Sequence, residues 1–366
     1  MVGSAMARDL SGNHKVTLAD YSLTAVKNTQ SLDSSISVLQ LDVCDVNHLQ
    51  TVAKPFDLVL TAVPGYLGFA TLKALIEAGK NVVDISFFPE NSLELNELAK
   101  TNGVTAIVDC GVAPGMDNFI LGHYNEKYLI QEFECLVGGL PKNRKPPFEY
   151  KAPFSPIDVI EEYTRPARYM ENGKIVTMPA LTDIVSLEFD KLGTLESFNS
   201  DGLRSILFTM NHIPNMKEKT LRYPGHAAKM KFLSDAGLFN EDIRIIDGKE
   251  IRPIDLTSAI LFDHWKLGKD EEELTVMRIR LKGRNGDADI NIQYDLYDEY
   301  DPETGVSSMA RTTGYTATAA VNLFLDGYFD EKGVFPPELI GGKDGCLAYI
   351  LKYLSDRGVI YRKTVN

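Results

Sequence analysis

The sequence predicts an α/β protein in which a doubly wound parallel sheet carries an inserted α+β domain. Three observations support this prediction. Short apolar strands alternate with helical segments from residue 1 to about residue 125, as in successive βαβ units. From about residue 126, apolar and polar residues alternate as they do in antiparallel strands. After residue 305 the chain is again helical and rich in small apolar residues.

Five strands are predicted in the first domain, over residues 15–20, 37–43, 56–63, 81–86 and 104–109. Asp20 ends the first of these strands, Asp42 lies near the end of the second, and Pro64 and Gly65 close the third. A helix is predicted over residues 67–78, because Gly79 is a favourable residue for ending it.

The second domain is predicted to begin with a strand near residue 131 and to continue with strands around 166–178 and 182–190. Residues 275–282 and 290–299 are predicted to form a long hairpin, because Asn285-Gly286 between them is a strong turn signal. The helix predicted over 313–325 returns the chain to the first domain. The predicted boundaries are therefore 1–125 with 305–366 for the parallel-sheet domain and 126–304 for the α+β domain.

The first residues, Met-Val-Gly-Ser-Ala-Met, match the end of a G-x-G-x-x-G turn between a strand and a helix. If Gly3 is the third glycine, Asp20 lies 17 residues further on, about where a Rossmann fold places the acid that holds a ribose. The N-terminal strand and the first two glycines are then missing from the chain. We expect Met1 to be an internal methionine of a longer native chain. The alternative is a genuine short N-terminus in a fold that has lost nucleotide binding.

The predicted cofactor is NAD, with NADP less favoured. Asp20 would accept hydrogen bonds from ribose hydroxyls and repel a 2′-phosphate, and the following Tyr-Ser-Leu-Thr offers no arginine to bind one. A turn-capping role is the alternative for Asp20. The predicted cofactor-binding residues are Gly3, Asp20, Asp42, Ala62, Val63, Pro64 and Gly65.

Composition narrows the class of protein. The formal charge of -13 argues against a nucleic-acid partner, because phosphate binding requires a basic surface. No apolar run is long enough to span a membrane, and the N-terminus has no pattern of a secretory signal. The four cysteines and six histidines match no metal-binding spacing. A cytoplasmic protein that acts on a small molecule, without a metal, is expected.

Several segments, taken in order, resemble the saccharopine dehydrogenase family. They are Asp-Cys-Gly-Val-Ala-Pro-Gly-Met-Asp-Asn (109–118), Val-Gly-Gly-Leu-Pro (137–141), Glu-Tyr-Lys-Ala-Pro (149–153), Glu-Tyr-Thr-Arg-Pro-Ala (162–167), Asn-Ser-Asp-Gly-Leu-Arg (199–204) and Thr-Leu-Arg-Tyr-Pro-Gly-His (220–226). The resemblance implies a homodimer and hydride transfer from a C–N bond at the end of a lysine side chain to a nicotinamide. The resulting imine would be hydrolysed.

Within that family, the resemblance favours lysine 6-dehydrogenase-like oxidative deamination. Glutamate-forming saccharopine reductases resemble this chain but have Leu-Asp-Pro-Gly where it has Val-Ala-Pro-Gly (112–115). They also have Tyr-Cys-Gly-Gly where it has Leu-Val-Gly-Gly (136–139). Glutamate-forming saccharopine dehydrogenase activity is the alternative.

The reaction needs a base, and anchors for the substrate carboxylates. Histidine titrates near neutral pH, which makes His226 the first candidate base, with Lys151 and Asp84 as further catalytic candidates. Arginine binds carboxylates through two parallel hydrogen bonds, which favours Arg204 and Arg222 as anchors. Tyr150 and Tyr223, which adjoin Lys151 and Arg222 in the sequence, and Asp117 complete the predicted substrate site. Alternatives remain for these residues: a helix cap for Asp117, a structural role for His226, and a solvated surface position for Lys151, Arg204 and Arg222.

Two other classes of protein share features with this sequence. The segments Thr-Ala-Val-Pro (61–64) and Glu-Ala-Gly-Lys-Asn-Val (77–82) superficially match sugar-type Rossmann oxidoreductases. Those enzymes continue into a Glu-Lys-Pro with a catalytic lysine, whereas this chain continues Asp-Ile-Ser-Phe-Phe-Pro (84–89). A non-catalytic Rossmann protein that only binds its ligand is the second alternative.

Overall fold

The structure is a computed structural model that describes residues 2–152, 156–268 and 271–365, without the side chains of residues 156–158. It divides into two compact units. The first comprises Met1–Tyr128 and Ala310–Ile360, and the second comprises Leu129–Met309 and Tyr361–Asn366. None of the described helices is both long and apolar enough to cross a membrane.

The first part of the chain alternates helices and short strands: α1 (Val2–Ser11), β1 (Thr17–Asp20), α2 (Leu23–Leu32), β2 (Ser37–Gln40), α3 (Val46–Ala53), β3 (Leu58–Thr61), α4 (Gly65–Glu77), β4 (Asn81–Asp84), α5 (Asn96–Thr101), β5 (Thr105–Ile107) and α6 (Met116–Asn125). The second part is mainly strands: β6 (Leu129–Pro141), α7 (Pro156–Thr164), β7 (Ala167–Glu171), β8 (Lys174–Met178), β9 (Val185–Phe189), β10 (Gly193–Asn199), α8 (Ile206–Thr209), β11 (Asn215–Arg222), α9 (His226–Asp235), β12 (Arg244–Ile246), β13 (Lys249–Ile251), α10 (Pro253–Trp265), β14 (Glu273–Asn285) and β15 (Ala288–Glu299). The last part contains α11 (Ser308–Leu325), β16 (Gly333–Phe335), α12 (Pro337–Gly341), α13 (Cys346–Ser355) and β17 (Tyr361–Val365).

All strands of the first unit run parallel, but they form two sheets. β1 pairs with β2, and a four-stranded sheet has the order β16-β5-β4-β3. An apolar core that includes Leu72, Leu75 and Ile76 of α4 and Val82 of β4 packs between the larger sheet and its helices. α4 ends as predicted, because Gly79 adopts a φ of 71° that a glycine tolerates without strain.

Helices α6 and α12 of the first unit approach each other backbone to backbone. A Cβ on Gly122 would lie 1.9 Å from the carbonyl oxygen of Glu338, and a Cβ on Gly341 would lie 2.1 Å from that of Phe119. Such a contact admits only glycine at both positions. The side chain of Asn118 adds a buried hydrogen bond of 3.0 Å to the Glu338 carboxylate.

A charged cluster holds α1 against α11 and α13. One oxygen of Asp9 accepts a hydrogen bond of 2.5 Å from Nε of Arg357, and the other accepts from the hydroxyls of Tyr353 and Thr318. Gly314 faces α1, since a Cβ there would lie 3.1 Å from Cγ of Met6. The first helix is therefore fixed by the C-terminal part of the same unit.

The second unit is built on a mixed sheet of nine strands. Its main path is β17-β15-β14-β6-β11-β10-β9, and β7 and β8 extend from β11. The predicted hairpin is confirmed: β14 and β15 pair antiparallel up to Asn285 and Ala288, and Gly286 has a φ of 60°. β12 and β13 form a separate two-stranded hairpin.

The C-terminal residues differ from the predicted domain boundary. Residues 361–366 were assigned to the parallel-sheet domain, but β17 pairs antiparallel with β15 of the second unit. The open edge of β15 offers backbone hydrogen bonds to any nearby extended segment, and a strand of five residues carries no local signal of the sheet that it joins.

Candidate active site

A polar cluster lies at the carboxyl ends of β3 and β4 in the first unit. Thr61 and Asp84 end these strands and are paired across the sheet. Oδ1 of Asp84 accepts a hydrogen bond of 2.5 Å from the Thr61 hydroxyl and one of 2.7 Å from the Ser86 hydroxyl. Oδ2 is buried and accepts no hydrogen bond from the described residues. Because open α/β sheets bind ligands at the carboxyl ends of their strands, Asp84 lies where a ligand is expected.

Burial raises the pKa of Asp84 to about 7, although the hydrogen bonds from Thr61 and Ser86 oppose the change. The negative charge of Asp109, just after β5, adds to the increase. Burial also raises the pKa of the neighbouring Cys110 thiol far above its ordinary value, so this thiol stays protonated. Asp84 therefore changes charge near neutral pH, a property that perturbed carboxyl groups show at functional sites.

The segment after β3 contains four predicted cofactor-binding residues, Ala62, Val63, Pro64 and Gly65. Ala62 and Pro64 are exposed, and α4 begins at Gly65 without a side-chain cap. Sequence reasoning missed Gly68 one turn later. A Cβ there would lie 2.5 Å from the Phe88 ring and 2.8 Å from Cβ of Ser86, so Gly68 lets α4 contact the segment that holds Ser86. The Gly-x-x-Gly spacing was the available signal.

The loop after β5 is tightly folded. It contains a cis peptide bond between Ala113 and Pro114, and a Cβ on Gly115 would lie 1.9 Å from the carbonyl oxygen of Gly111. Oδ1 of Asp117 accepts a hydrogen bond of 2.9 Å from the amide of Gly115. This contact holds the start of α6, but the N-cap residue is Gly115 and Asp117 lies within the helix. The role of Asp117 in substrate binding stays a prediction.

The two predicted ribose-side carboxylates, Asp20 and Asp42, are exposed and cap turns. Oδ1 of Asp20 accepts from the amide of Ser22 at 2.7 Å, and Oδ1 of Asp42 accepts from the amide of Cys44 at 2.9 Å. Asp20 ends β1, whereas β2 already ends at Gln40. Asp20 is therefore the better placed of the two for a ligand at a strand end.

Gly3 lies within α1 and does not show the close contact expected of the third glycine in the motif. A Cβ at this position would meet no described atom within 4 Å. The expected contact is with a strand that precedes the helix, and the described part of the chain begins with the helix itself. The role of Gly3 in cofactor binding therefore lacks structural support.

In the second unit, five predicted site residues are buried: Tyr150, Arg204, Arg222, Tyr223 and His226. Three of them, Tyr150, Arg222 and His226, form one cluster with Tyr163, which was not among the predicted site residues. The Arg222 guanidinium lies 4.4 Å from the centre of the Tyr150 ring and donates from Nε to the Tyr163 hydroxyl at 3.3 Å. Trp265 closes the cluster, with its ring centre 5.4 Å from that of Tyr150.

His226 does not fit the predicted role of general base. Its Nδ1 donates to the Phe148 carbonyl at 3.0 Å, which leaves Nε2 to accept from the Tyr163 hydroxyl at 2.9 Å. Burial, with a smaller contribution from the charge of Arg222, lowers the pKa of His226 to about 3. A base with this pKa is weak at neutral pH, and both nitrogens already have partners. We therefore assign His226 a structural role.

Arg222 does not fit the predicted role of substrate anchor. Its Nη2 donates to Oε2 of Glu162 at 2.5 Å, and its Nη1 donates to the Leu221 carbonyl at 2.9 Å. The side chain is 3% exposed. The guanidinium fork is thus occupied by groups of the same unit, and Glu162 replaces the predicted substrate carboxylate.

Lys151 and Tyr223 are also engaged. The Lys151 ammonium lies 3.0 Å from Oε2 of Glu271 and donates to the Lys266 carbonyl at 3.2 Å, so it is paired within its own unit, and its catalytic role stays a prediction. The Tyr223 hydroxyl donates to the Pro141 carbonyl at 3.0 Å. Glu196, which the sequence did not indicate, caps α9 by accepting hydrogen bonds from two backbone amides.

Arg204 is buried and has a φ of 45°, which is uncommon for a residue other than glycine. Such conformations persist where the surrounding structure holds them, and they are frequent at ligand sites. Its role in substrate binding stays a prediction.

The first unit fits a pyridine dinucleotide in two respects. An exposed carboxylate at the end of a parallel strand, that of Asp20, suits ribose hydroxyls. The turn from Ala62 to Gly65, in which Ala62 and Pro64 are exposed, joins β3 to α4 at the carboxyl end of β3 and carries no charged side chain that would repel a nicotinamide.

Comparison with protein families agrees with this assignment. A model described as the saccharopine dehydrogenase C-terminal domain matches residues 111–359, and a model described as the saccharopine dehydrogenase NADP binding domain matches residues 1–107. The chain belongs to the saccharopine dehydrogenase family. The predicted family is thus confirmed, as is a domain for a pyridine nucleotide, whereas the choice of NAD over NADP stays a prediction.

Members of the saccharopine dehydrogenase family with curated names align over most of this chain. Alpha-aminoadipic semialdehyde synthase of Rattus norvegicus is 23% identical over 360 residues, which cover 79% of this chain and 39% of that protein. This chain therefore spans about two fifths of the length of that relative. Saccharopine dehydrogenase [NADP(+), L-glutamate-forming] of Pyricularia oryzae is 23% identical over 397 residues, which cover 88% of both chains.

Solved structures confirm the α/β fold of this saccharopine dehydrogenase family member. The apo saccharopine dehydrogenase (L-Glu forming) of Saccharomyces cerevisiae matches with a TM-score of 0.81 at 21% identity, covering 100% of this chain and 97% of that one. A homospermidine synthase of Legionella pneumophila matches with a TM-score of 0.69 at 11% identity, covering 100% of this chain and 89% of that one. The predicted homodimer and cytoplasmic location stay predictions.

Proposed function

We propose that this protein is a pyridine-nucleotide-dependent dehydrogenase that oxidises the C–N bond on the lysine side of saccharopine and releases glutamate. The observation that carries this proposal is the buried carboxyl group of Asp84 at the carboxyl end of β4, the edge at which open α/β sheets bind ligands. An acidic group at this edge suits a substrate that carries a positively charged nitrogen beside the carbon to be oxidised. The relative from Pyricularia oryzae, which aligns over 88% of both chains, has this activity in its name and supports the proposal.

The bound dinucleotide would supply the hydride acceptor. The exposed carboxylate of Asp20 would hold its ribose, and the turn from Ala62 to Gly65 would line it without charge. Asp84 would lie beside the reacting nitrogen. Water must enter after oxidation, because the imine is cleaved by hydrolysis.

Lysine 6-dehydrogenase activity is the second candidate. The residue that favours it is Ala113. Glutamate-forming saccharopine reductases, which resemble this chain elsewhere, have an aspartate at this position. A pocket for lysine needs fewer carboxylate partners than one for saccharopine. The engagement of Arg222 with Glu162 reduces the anchors available for the longer, more acidic substrate.

We propose NAD as the preferred nucleotide, in contrast to the NADP(+) in the names of the fungal relatives. The carboxylate of Asp20 is exposed at the end of β1, where it would repel a 2′-phosphate. Tyr21 to Thr24 contribute no positive charge that would compensate it.

Reduced nucleotide formation by the purified protein tests both proposals. Saccharopine and L-lysine are compared side by side, each with NAD and with NADP, while glutamate and ammonia are measured as products. Glutamate from saccharopine supports the main proposal, and ammonia from lysine supports the second candidate. The absence of turnover with both amines would contradict the proposed function.

A further inference from the structure

We propose that Asp84 accepts the proton of the substrate nitrogen, and that Thr61 and Ser86 are its positioning residues. This inference rests on the proposed function and assigns the acid–base step that the function requires. It replaces His226, whose two ring nitrogens are already engaged.

The geometry distinguishes the two oxygens of Asp84. Both hydroxyls bind the same oxygen, Oδ1, from two directions: Thr61 from the neighbouring strand and Ser86 from two residues further along the chain. The carboxyl plane is thereby fixed. Oδ2 accepts no hydrogen bond within the described part of the chain although it is fully buried. A buried polar atom without a partner is costly, and a ligand N–H group would satisfy it.

The charged groups around Asp84 are acidic. Asp109 follows β5, which pairs with β4 on one side, and its charge disfavours ionisation of Asp84. Cys110 lies on the same segment and stays protonated. On the other side, β3 contributes only the Thr61 hydroxyl. A cationic ligand would therefore favour the ionised form of Asp84. When the ligand nitrogen gives its proton to Asp84, the carboxyl group returns to its neutral form.

The proton balance follows from these groups. In water the substrate nitrogen carries an extra proton, which has to leave before the carbon beside it can be oxidised. Transfer of that proton to Oδ2 forms an O–H bond and breaks an N–H bond, giving a neutral amine and a carboxylic acid. The lone pair freed on nitrogen forms the C=N bond when the carbon loses its hydride to the pyridine nucleotide of the proposed reaction.

Three variants of the full chain test the inference: Asp84→Asn, Ser86→Ala and, as a control, Ser92→Ala, which removes a buried hydroxyl elsewhere in the same unit. Asp84→Asn is expected to lower kcat/KM by 10²- to 10⁴-fold, the usual contribution of a general base. Ser86→Ala removes a hydrogen bond to the carboxylate and is expected to move the lower limb of the pH profile upward by about one pH unit. The control is expected to change neither.

A second measurement needs no turnover. Because burial raises the pKa of Asp84 to about 7, its contribution to stability is present below the pKa of the unfolded chain and is lost as pH rises through 7. At pH 8 the β4 amides should therefore be better protected from hydrogen exchange in Asp84→Asn than in the wild type, because the first unit opens less often. At pH 4 the two should agree.

The outcomes separate the two claims. Wild-type turnover together with Asp84→Asn activity within twofold of it would overturn the inference and leave the proposed function standing. An unmoved pH limb in Ser86→Ala would overturn the positioning role. A wild type that neither oxidises nor binds saccharopine or lysine would overturn both claims. Loss of activity with unchanged or increased stability of Asp84→Asn at pH 8 supports the inference, because the loss of activity is then not caused by unfolding.

Discussion

The buried ion pair between Arg222 and Glu162 offers a sharp test of what holds the second unit together. The substitution Glu162→Gln keeps the shape of the side chain and removes its charge. In the wild type, Nη2 of Arg222 donates to the Glu162 carboxylate at 2.5 Å. In the variant, it faces a neutral amide. The guanidinium cannot lose its proton, so it stays charged in a buried place.

The expected cost follows from the burial of the two partners. Breaking a fully buried pair by removing one charge costs about 3–5 kcal/mol. The Arg222 side chain is 3% exposed, but that of Glu162 is 22% exposed, and water screens part of the interaction. Arg222 also keeps the Leu221 carbonyl and the Tyr163 hydroxyl. We expect Glu162→Gln to lower the free energy of unfolding by about 2–3 kcal/mol.

Trp265 provides the assay. It is the single tryptophan of the chain, it is fully buried, and its ring lies 6.0 Å from that of Tyr163. Its fluorescence during urea denaturation therefore reports on the second unit. With a slope of about 2 kcal/mol per molar urea, the midpoint of Glu162→Gln should fall by roughly 1–1.5 M.

Glu161→Gln is the matched control, because Glu161 precedes Glu162 on α7 and pairs with Arg165, whose side chain is partly exposed. Partly exposed pairs contribute less than about 1 kcal/mol. If Glu162→Gln and Glu161→Gln shift the midpoint equally, the buried ion pair does not stabilise the unit, and our account of Arg222 as a structural residue is refuted.

Three further predictions concern stability and cofactor choice. Burial lowers the pKa of His226 to about 3, so its contribution to stability is present above about 6.5 and is lost as pH falls. Between pH 7 and pH 5 the free energy of unfolding of the wild type should fall by about 2 kcal/mol, whereas that of His226→Gln should not. Urea titrations that show the same fall in both proteins would contradict this. Gly122→Ala forces a Cβ against the Glu338 carbonyl and should lower stability by about 1–3 kcal/mol, whereas Gly12→Ala, which meets nothing within 4 Å, should not. Asp20→Ser should reduce the ratio of NAD to NADP efficiency by about tenfold, as steady-state kinetics would show; an unchanged ratio would rule out a ribose contact.

Much of the fold could be predicted because its signals are local. Strands β1 to β5 lie inside the predicted ranges, although each is shorter, since strand ends carry weak signals. The sixth described parallel strand, β16, was not predicted. The predicted hairpin turns at Gly286 and Asp287, between the paired Asn285 and Ala288, because Gly286 has a positive φ that a glycine adopts without strain. In the same way, Gly79 ends α4 where the sequence placed the stop.

The candidate site was harder to predict, because the sequence offers chemically suitable residues without their partners. His226 and Arg222 have the side chains of a base and of an anchor, yet Tyr163 and Glu162, about 60 residues away, engage them. Asp84 was one candidate among several acids. Its burial, and the two hydroxyls on one oxygen, single it out.

The sequence by itself determined the α/β class, the family and the identity of the strand-end acids, because these depend on short-range patterns of residues. Only the tertiary structure decided that β17 joins the second sheet, that the Arg222 fork is already filled, and that Asp84 titrates near pH 7. The physical reason is the same in each case. Sheet membership, charge pairing and pKa depend on which distant groups replace water around a residue, and the folded chain alone brings those groups together.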